Sequence, residues 1–239
     1  MLDLLQKTIA FIQNPQNDFA GHTAAFLQMC VYAIVLAVVI SLPLGILVTR
    51  RPIASLIAIN LSGLGRAIPT IAFLLVVLPY LGTGLKPAVV ALTVLGIPPI
   101  LLNTIAGMRG VDPAAVDAAR GMGMTRRQIL TRVELPLVLP VVAAGVRTSA
   151  VQIVATAPLG ALIFAGGYGD YILNGIYVFD TPQALAGAIP VALLALFVEF
   201  GLAGVERAIT PAGIRRGAAA VPGVAESTQE APANQPIAA

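Results

Sequence analysis

Few residues of this chain are equipped for covalent or metal chemistry. A single His (His22) and a single Cys (Cys30) exclude a disulfide framework, a thiolate zinc site and a clustered-histidine metal centre. No nucleophile–base constellation is visible, so no residue is nominated as catalytic and no metal site is expected. The phosphate-cradling signature G-x-x-x-x-G-K followed by Ser or Thr is absent too, so any ATP must be handled by another chain. What remains is the chemistry of charge and of aromatic faces. Arg66, Arg147 and Glu199 stand in otherwise apolar stretches, where an ion costs about 2.5–3.5 kcal/mol on insertion scales and usually faces protein or water. Arg66 and Arg147 therefore either line a polar route or anchor their segments at the membrane surface, and Glu199 can pair with either. Tyr168, Tyr171, Tyr177 and Phe179 gather in one short segment, which suits an interfacial aromatic belt or contact with a docked protein or a substrate. His22 and Cys30 are expected to do no chemistry.

The elements that position these residues follow from composition. Of 239 residues, 58% are apolar and 10% charged, against about 25% charged in soluble domains. The 14 Lys and Arg with 11 Asp and Glu are too few to clothe a water-soluble globule. A mean hydropathy of +0.91 asks for lipid as the solvent of several segments. The expected fold is therefore an all-α integral membrane bundle.

A bilayer core about 30 Å thick needs roughly 20 apolar residues in a helix, and charge-poor runs place five spans at 24–49, 53–81, 87–108, 137–164 and 181–204. The second is interrupted by Arg66 and Pro69. It is read as one long kinked span, with a re-entrant piece followed by a short span as the alternative. Residues 1–23 form an external segment without the features of a cleavable signal. Residues 211–239 lack hydrophobic periodicity and read as a disordered cytoplasmic tail.

Five spans put the termini on opposite sides of a multi-pass membrane protein. Arg50, Arg51, Arg109, Arg120, Arg126, Arg127, Arg132, Arg207, Arg215 and Arg216 fall on one side, whereas the other receives only Lys7 and Lys86. The positive-inside rule makes the first side cytoplasmic and the N-terminus external. The basic pI of about 9.4 is thereby explained by topology, without nucleic acid as a partner. Ala33, Ala37, Ser41 and Gly45 form a small-residue stripe on the first span, which suits close helix packing within one chain.

The cytoplasmic stretch 109–134 is more than a connector. Asp112 before Pro113 is an N-cap with proline at the first helical position. Ala114, Ala115, Ala118 and Ala119 give the helix a small-residue face, and Gly121 with Gly123 should end it. Thr125 and Gln128 then fit a capping box that opens a second short helix running to Leu135 and Pro136. Ile129, Leu130 and Val133 are its apolar side, while Arg126, Arg127 and Arg132 face water or an acidic partner. Two capped helices make either an ordered loop that fixes topology or a knob that fits a groove on another protein.

Asp117-Ala118-Ala119, three residues, Gly123, nine residues and then Val133-Glu134-Leu135-Pro136 closely resemble the EAA loop of ABC-importer permeases, with Asp117 in place of Glu and Val133 in place of Ile. Further segments are similar to the osmoprotectant branch of that family, whose solutes are glycine betaine, choline, carnitine and proline betaine. They are Arg66-Ala67-Ile68-Pro69-Thr70, Arg109-Gly110-Val111-Asp112-Pro113, Gly166-Gly167-Tyr168-Gly169-Asp170 and Leu185-Ala186-Gly187-Ala188-Ile189-Pro190. Tyr168 stands where the branch would have Leu. The similarity covers about residues 24–210, the permease domain.

The resemblance implies a type I ABC importer permease fold in a bacterial plasma membrane. It also implies a second permease chain, identical or paralogous, a dimer of ATPase subunits that bind ATP and Mg2+, and an external solute-binding protein. Asp117, Ala118, Ala119, Gly121, Gly123, Thr125, Arg126, Leu135 and Pro136 are the implied coupling residues. Arg66, Pro69, Arg147, Tyr168 and Asp170 are candidates for the translocation path or a gate. An importer of another small solute such as an amino acid, or a stand-alone secondary transporter, is the alternative.

Overall fold

The computed structural model describes residues 2–67 and 69–209, the side chains at 2 and 65–67 excepted. The expected tail at 211–239 thus lies outside the described residues, as does the side chain of Arg66. Among the described residues every regular element is helical. Helix α1, Leu2–Gln13, leads through a 3₁₀ turn, Pro15–Asn17, into α2, Phe19–Thr49. Asp18 caps α2 by accepting the Gly21 N–H at 3.2 Å, so the first long helix starts five residues before its charge-free core at Ala24.

The expected single kinked span at 53–81 is instead two helices, α3, Pro52–Ala67, and α4, Thr70–Leu81. Pro69 stands between them in extended conformation, as its missing N–H and the crowding of the turn before it dictate. The pair still runs from one end of the bundle to the other. Arg109 donates from Nη2 to the buried Ser55 Oγ at 2.7 Å, tying the start of α3 to the cytoplasmic end of α5, Leu85–Arg109. Just beyond α4, the Gly84 N–H donates to the Ile163 carbonyl at 2.7 Å, at the opposite end.

Helix α5 is the axis of the bundle, buried from Pro87 to Gly107 on nearly every face. The small-residue stripe of α2 packs on it: Ala33, Ala37 and Ser41 are 0% exposed, and a Cβ on Gly45 would sit 2.7 Å from the Thr104 methyl. On its other flank lies α8, Leu135–Thr156, where a Cβ on Gly145 would come 2.7 Å from Asn103 Cβ. Pro98 and Pro99 deprive α5 of two N–H donors. Beside them Ser149 donates to the Gly96 carbonyl at 2.8 Å and Ser41 to that of Ile97 at 3.4 Å, so three helices are hydrogen-bonded across one level.

A Cβ added at Gly96 would lie 2.7 Å from Ile153 Cδ1, 2.8 Å from Ser149 Oγ and 3.2 Å from Ala37 Cβ. Gly96→Ala should therefore destabilise the bundle by about 1–3 kcal/mol, as overpacking does. A thermal midpoint in detergent equal to that of the wild type would contradict this.

Between α5 and α8 lies α6, Pro113–Gly121, and α7, Arg126–Ile129. Beyond α8, a 3₁₀ segment, Ala157–Ile163, leads to α9, Tyr168–Tyr177, and then to α10, Thr181–Ile209. Four helical stretches are each long and apolar enough to cross a membrane: Pro15–Thr49, Leu85–Arg109, Arg126–Ile163 and Thr181–Ile209. The apolar parts of α3 and α4, Pro52–Leu64 and Thr70–Leu81, are shorter than these four.

Candidate functional site

The cytoplasmic knob forms as its caps dictate. Asp112 accepts the Ala114 N–H at 2.9 Å with Pro113 opening α6. Gly123 closes the helix in the left-handed region, φ +77°. Around it the Met124 N–H reaches the Ala119 carbonyl at 3.2 Å and the Gly123 N–H that of Arg120 at 2.9 Å, the paired bonds of a Schellman end. Only Gly123 does the terminating. Gly121 is the last helical residue and has open space beside it. Thr125 and Gln128 complete the capping box, with the Thr125 N–H donating to Gln128 Oε1 at 2.8 Å.

The second helix does not stop at Pro136. Leu130–Glu134 forms a π turn, in which the Leu135 N–H bonds the Leu130 carbonyl, and the chain continues directly into α8. The proline ring would crowd the carbonyl four residues back, and the wider turn absorbs that conflict without breaking the helix. Leu135 and Pro136 are thus the root of a long helix rather than the end of a short one.

Burial divides the nominated coupling residues. Asp117, Ala118, Gly121, Gly123, Thr125 and Arg126 are exposed, as is Ala114 on the same helix, and Met122 beside them is 75% exposed. Ala119, 1% exposed, faces inward with Ile129, so it seats the helix instead of presenting a surface. Asp117 holds an ion pair with Arg120 at 2.9 Å on the exposed side. Arg50, at the end of α2, lies 3.5 Å from Glu134 and links the knob to the bundle. With Arg120 and Arg126 these side chains frame a recess of about 140 Å³.

Within the bundle, Arg147 on α8 joins Glu199 on α10 through Nη1, while its Nε lies 3.1 Å from Glu206. Of the two partners that Glu199 had available by composition, the described contacts pair it with Arg147. Glu206 escaped notice because it lies near the apolar run's end, although its i+7 spacing from Glu199 puts both on one helix face.

The outer end gathers the remaining candidates. Phe164, Gly166 and Gly167 all have positive φ, at 60°, 79° and 89°. They turn the chain sharply into α9. A Cβ on Gly167 would meet the Phe26 backbone at 3.2 Å, so glycine serves a close approach as well as a turn. The expected group of four aromatics splits in two. Tyr168 and Tyr171 are each 5% exposed and face inward. The Tyr168 hydroxyl donates to Thr23 Oγ1 at 2.9 Å, and its ring lies 5.0 Å from Phe26. Tyr171 bonds the Asn17 carbonyl and stands edge-on to Phe11. Burial pushes the Tyr171 hydroxyl up to about 12, with Asp18 and Asp170 adding to the rise. These two rings tie α9 to α1 and α2, whereas Tyr177 and Phe179 stand free, 70% and 93% exposed.

Asp170 lies 3.5 Å from His22 Nδ1, which is also 3.0 Å from the Gly167 carbonyl. Its pKa is raised by burial, an effect the nearby His22 partly opposes. Both side chains open onto a cleft of about 480 Å³. Pro69, exposed at the α3–α4 break, and Arg147, half-buried between α8 and α10, are thus separate from the Tyr168 and Asp170 pair at the outer end.

Comparison with known proteins agrees with this architecture. The inward-facing MetNI methionine ABC transporter superimposes with a TM-score of 0.72 at 24% identity, over 81% of this chain and 96% of that one. The carnitine transport permease protein OpuCB of Listeria monocytogenes is 40% identical over 87% of this chain and 95% of its own length. The choline transport system permease protein OpuBB of Bacillus subtilis is 36% identical over 87% and 96%. The osmoprotectant import permease protein OsmW of Salmonella typhimurium is 34% identical over 87% and 99%. With residues 41–211 matching the family model as well, the chain belongs to the family of binding-protein-dependent transport system inner membrane components, the permease subunits of ABC importers.

Proposed function

We propose that this permease pairs with a second permease chain to form the path for a compatible solute such as glycine betaine, choline, carnitine or proline betaine. A separate ATPase dimer, holding ATP and Mg2+, docks on the exposed face of α6, and an external binding protein delivers the solute at the opposite end. The observation that carries the docking assignment is a short, doubly capped helix whose small side chains Ala114 and Ala118 lie open beside Met122. Such a face admits close approach by a groove, and its caps hold it rigid before contact. The relatives transporting carnitine and choline support the choice of solute.

Proteoliposomes containing the chain with its ATPase and binding protein should take up labelled betaine, choline or carnitine only when ATP is supplied. Uptake of amino acids in their place would reassign the solute. Uptake by this chain alone, without ATPase, would make it a secondary transporter.

A further inference from the structure

We infer that the cleft at the outer end of the bundle is a binding site for a quaternary ammonium group, with Asp170 as counter-charge and the Phe164 and Tyr177 rings as cation-facing walls. The inference rests on the osmolyte reading for its choice of ligand and places a recognition step on the permease itself. His22 and Asn174 are among the other residues that line it.

Three features converge on this wall. Among the described residues, His22 is the one basic group in ion-pair range of Asp170, at 3.5 Å, and its Nδ1 lies nearer the Gly167 carbonyl, at 3.0 Å. One Nδ1–H that serves the carbonyl leaves the carboxylate incompletely paired, and burial makes an incompletely paired carboxylate welcome a cation. Two aromatic rings are left uncovered on the same cleft, Phe164 at 78% and Tyr177 at 70% exposure, while the neighbouring Tyr168 and Tyr171 are used up in packing. An alkylated ammonium ion is held by ring faces and a carboxylate together, since it has no N–H to give. Finally, Phe164 occupies the left-handed region at φ 60°, a conformation costly to a non-glycine residue. That turn sets where the ring emerges at the cleft. A volume of about 480 Å³ suits a small organic ligand.

The probe is tetramethylammonium chloride, with choline beside it, titrated by calorimetry onto the full chain in nanodiscs of phosphatidylglycerol and phosphatidylethanolamine. Saturable binding is expected. Asp170→Asn should weaken it by about tenfold or more, and Tyr177→Leu by roughly two- to thirtyfold, the range of one cation–aromatic contact. Tyr177 is exposed enough that its replacement leaves the fold intact, so this variant reads the site even where Asp170→Asn fails to fold. Absence of binding, or affinity unchanged in both variants, overturns the inference. Nanodiscs of phosphatidylcholine carry the same headgroup chemistry. Equal affinity there assigns the site to free solute, whereas marked weakening assigns it to the lipid headgroup and overturns the solute assignment. Tetramethylammonium binding without osmolyte uptake in the reconstituted importer would defeat the proposed function alone. Uptake without such binding would defeat this site alone.

Discussion

Arg147→Met should cost the folded chain on the order of 2 kcal/mol, part of the roughly 3–5 kcal/mol penalty of stranding a fully buried charge. Arg147 stands 12 residues beyond Leu135, about 18 Å along the helix from its cytoplasmic root. There it holds both Glu199 and Glu206 from α10. Each of these side chains is between a quarter and two fifths exposed, so solvent screens part of the attraction and the loss stays below that of a fully buried pair. The expected result is a drop in thermal midpoint and in yield of monodisperse protein. The triple variant Arg147→Met, Glu199→Gln, Glu206→Gln should recover much of the loss, because it removes the stranded charges as well as the attraction. Wild-type stability in the single variant, or no recovery in the triple, would refute the account.

Ala118→Arg should lower ATP-dependent uptake by at least about thirtyfold, the loss of one interfacial hot spot of roughly 2 kcal/mol. The position is exposed on α6 and arginine is a good helix former, so stability should change by no more than about 0.5 kcal/mol. Ala118→Ser keeps the side chain small and should retain most of the activity. Gly123→Ala acts differently, by straining the left-handed residue at a cost of about 1–2 kcal/mol and loosening the knob. Its defect should therefore be partial and should shrink at lower temperature. Co-purification of the ATPase with the Ala118→Arg variant at the wild-type ratio, with normal uptake, would remove α6 from the coupling interface.

Much of this arrangement was legible in the residues. Four long apolar helices lie where charge-poor runs placed four of the five spans, and the caps at Asp112, Thr125 and Gln128 form as their spacing requires. The small-residue stripe from Ala33 to Gly45 packs inward on α5. Three features were not legible. Pro136 reads as a helix stop, because a π turn that accommodates a proline leaves no signature of its own. The break after α3 depends on how the chain resolves the conflict at Pro69, where a kink and a break serve hydrophobicity equally well. At the outer end the roles of four aromatics are settled by the rotation of α9, which three residues of positive φ set just before it. The exposure of Phe164 depends on that turn and has no signal in the residues, whereas the pairing of Glu206 follows from its spacing to Glu199.

The unbroken helical stretch Arg126–Ile163 has a mechanical consequence. It is clamped near its middle, where Gly145 meets α5 and Ser149 bonds the Gly96 carbonyl. From Gly145 the stretch reaches about 28 Å to Arg126, and from Ser149 about 25 Å to Ile163, at roughly 1.5 Å per α-helical and 2.0 Å per 3₁₀ residue. The far end carries Phe164 and the wall of the outer cleft. One continuous run of helical backbone thus has the knob at one end and the wall of the outer cleft at the other, so the two faces of the bundle are joined without crossing from helix to helix.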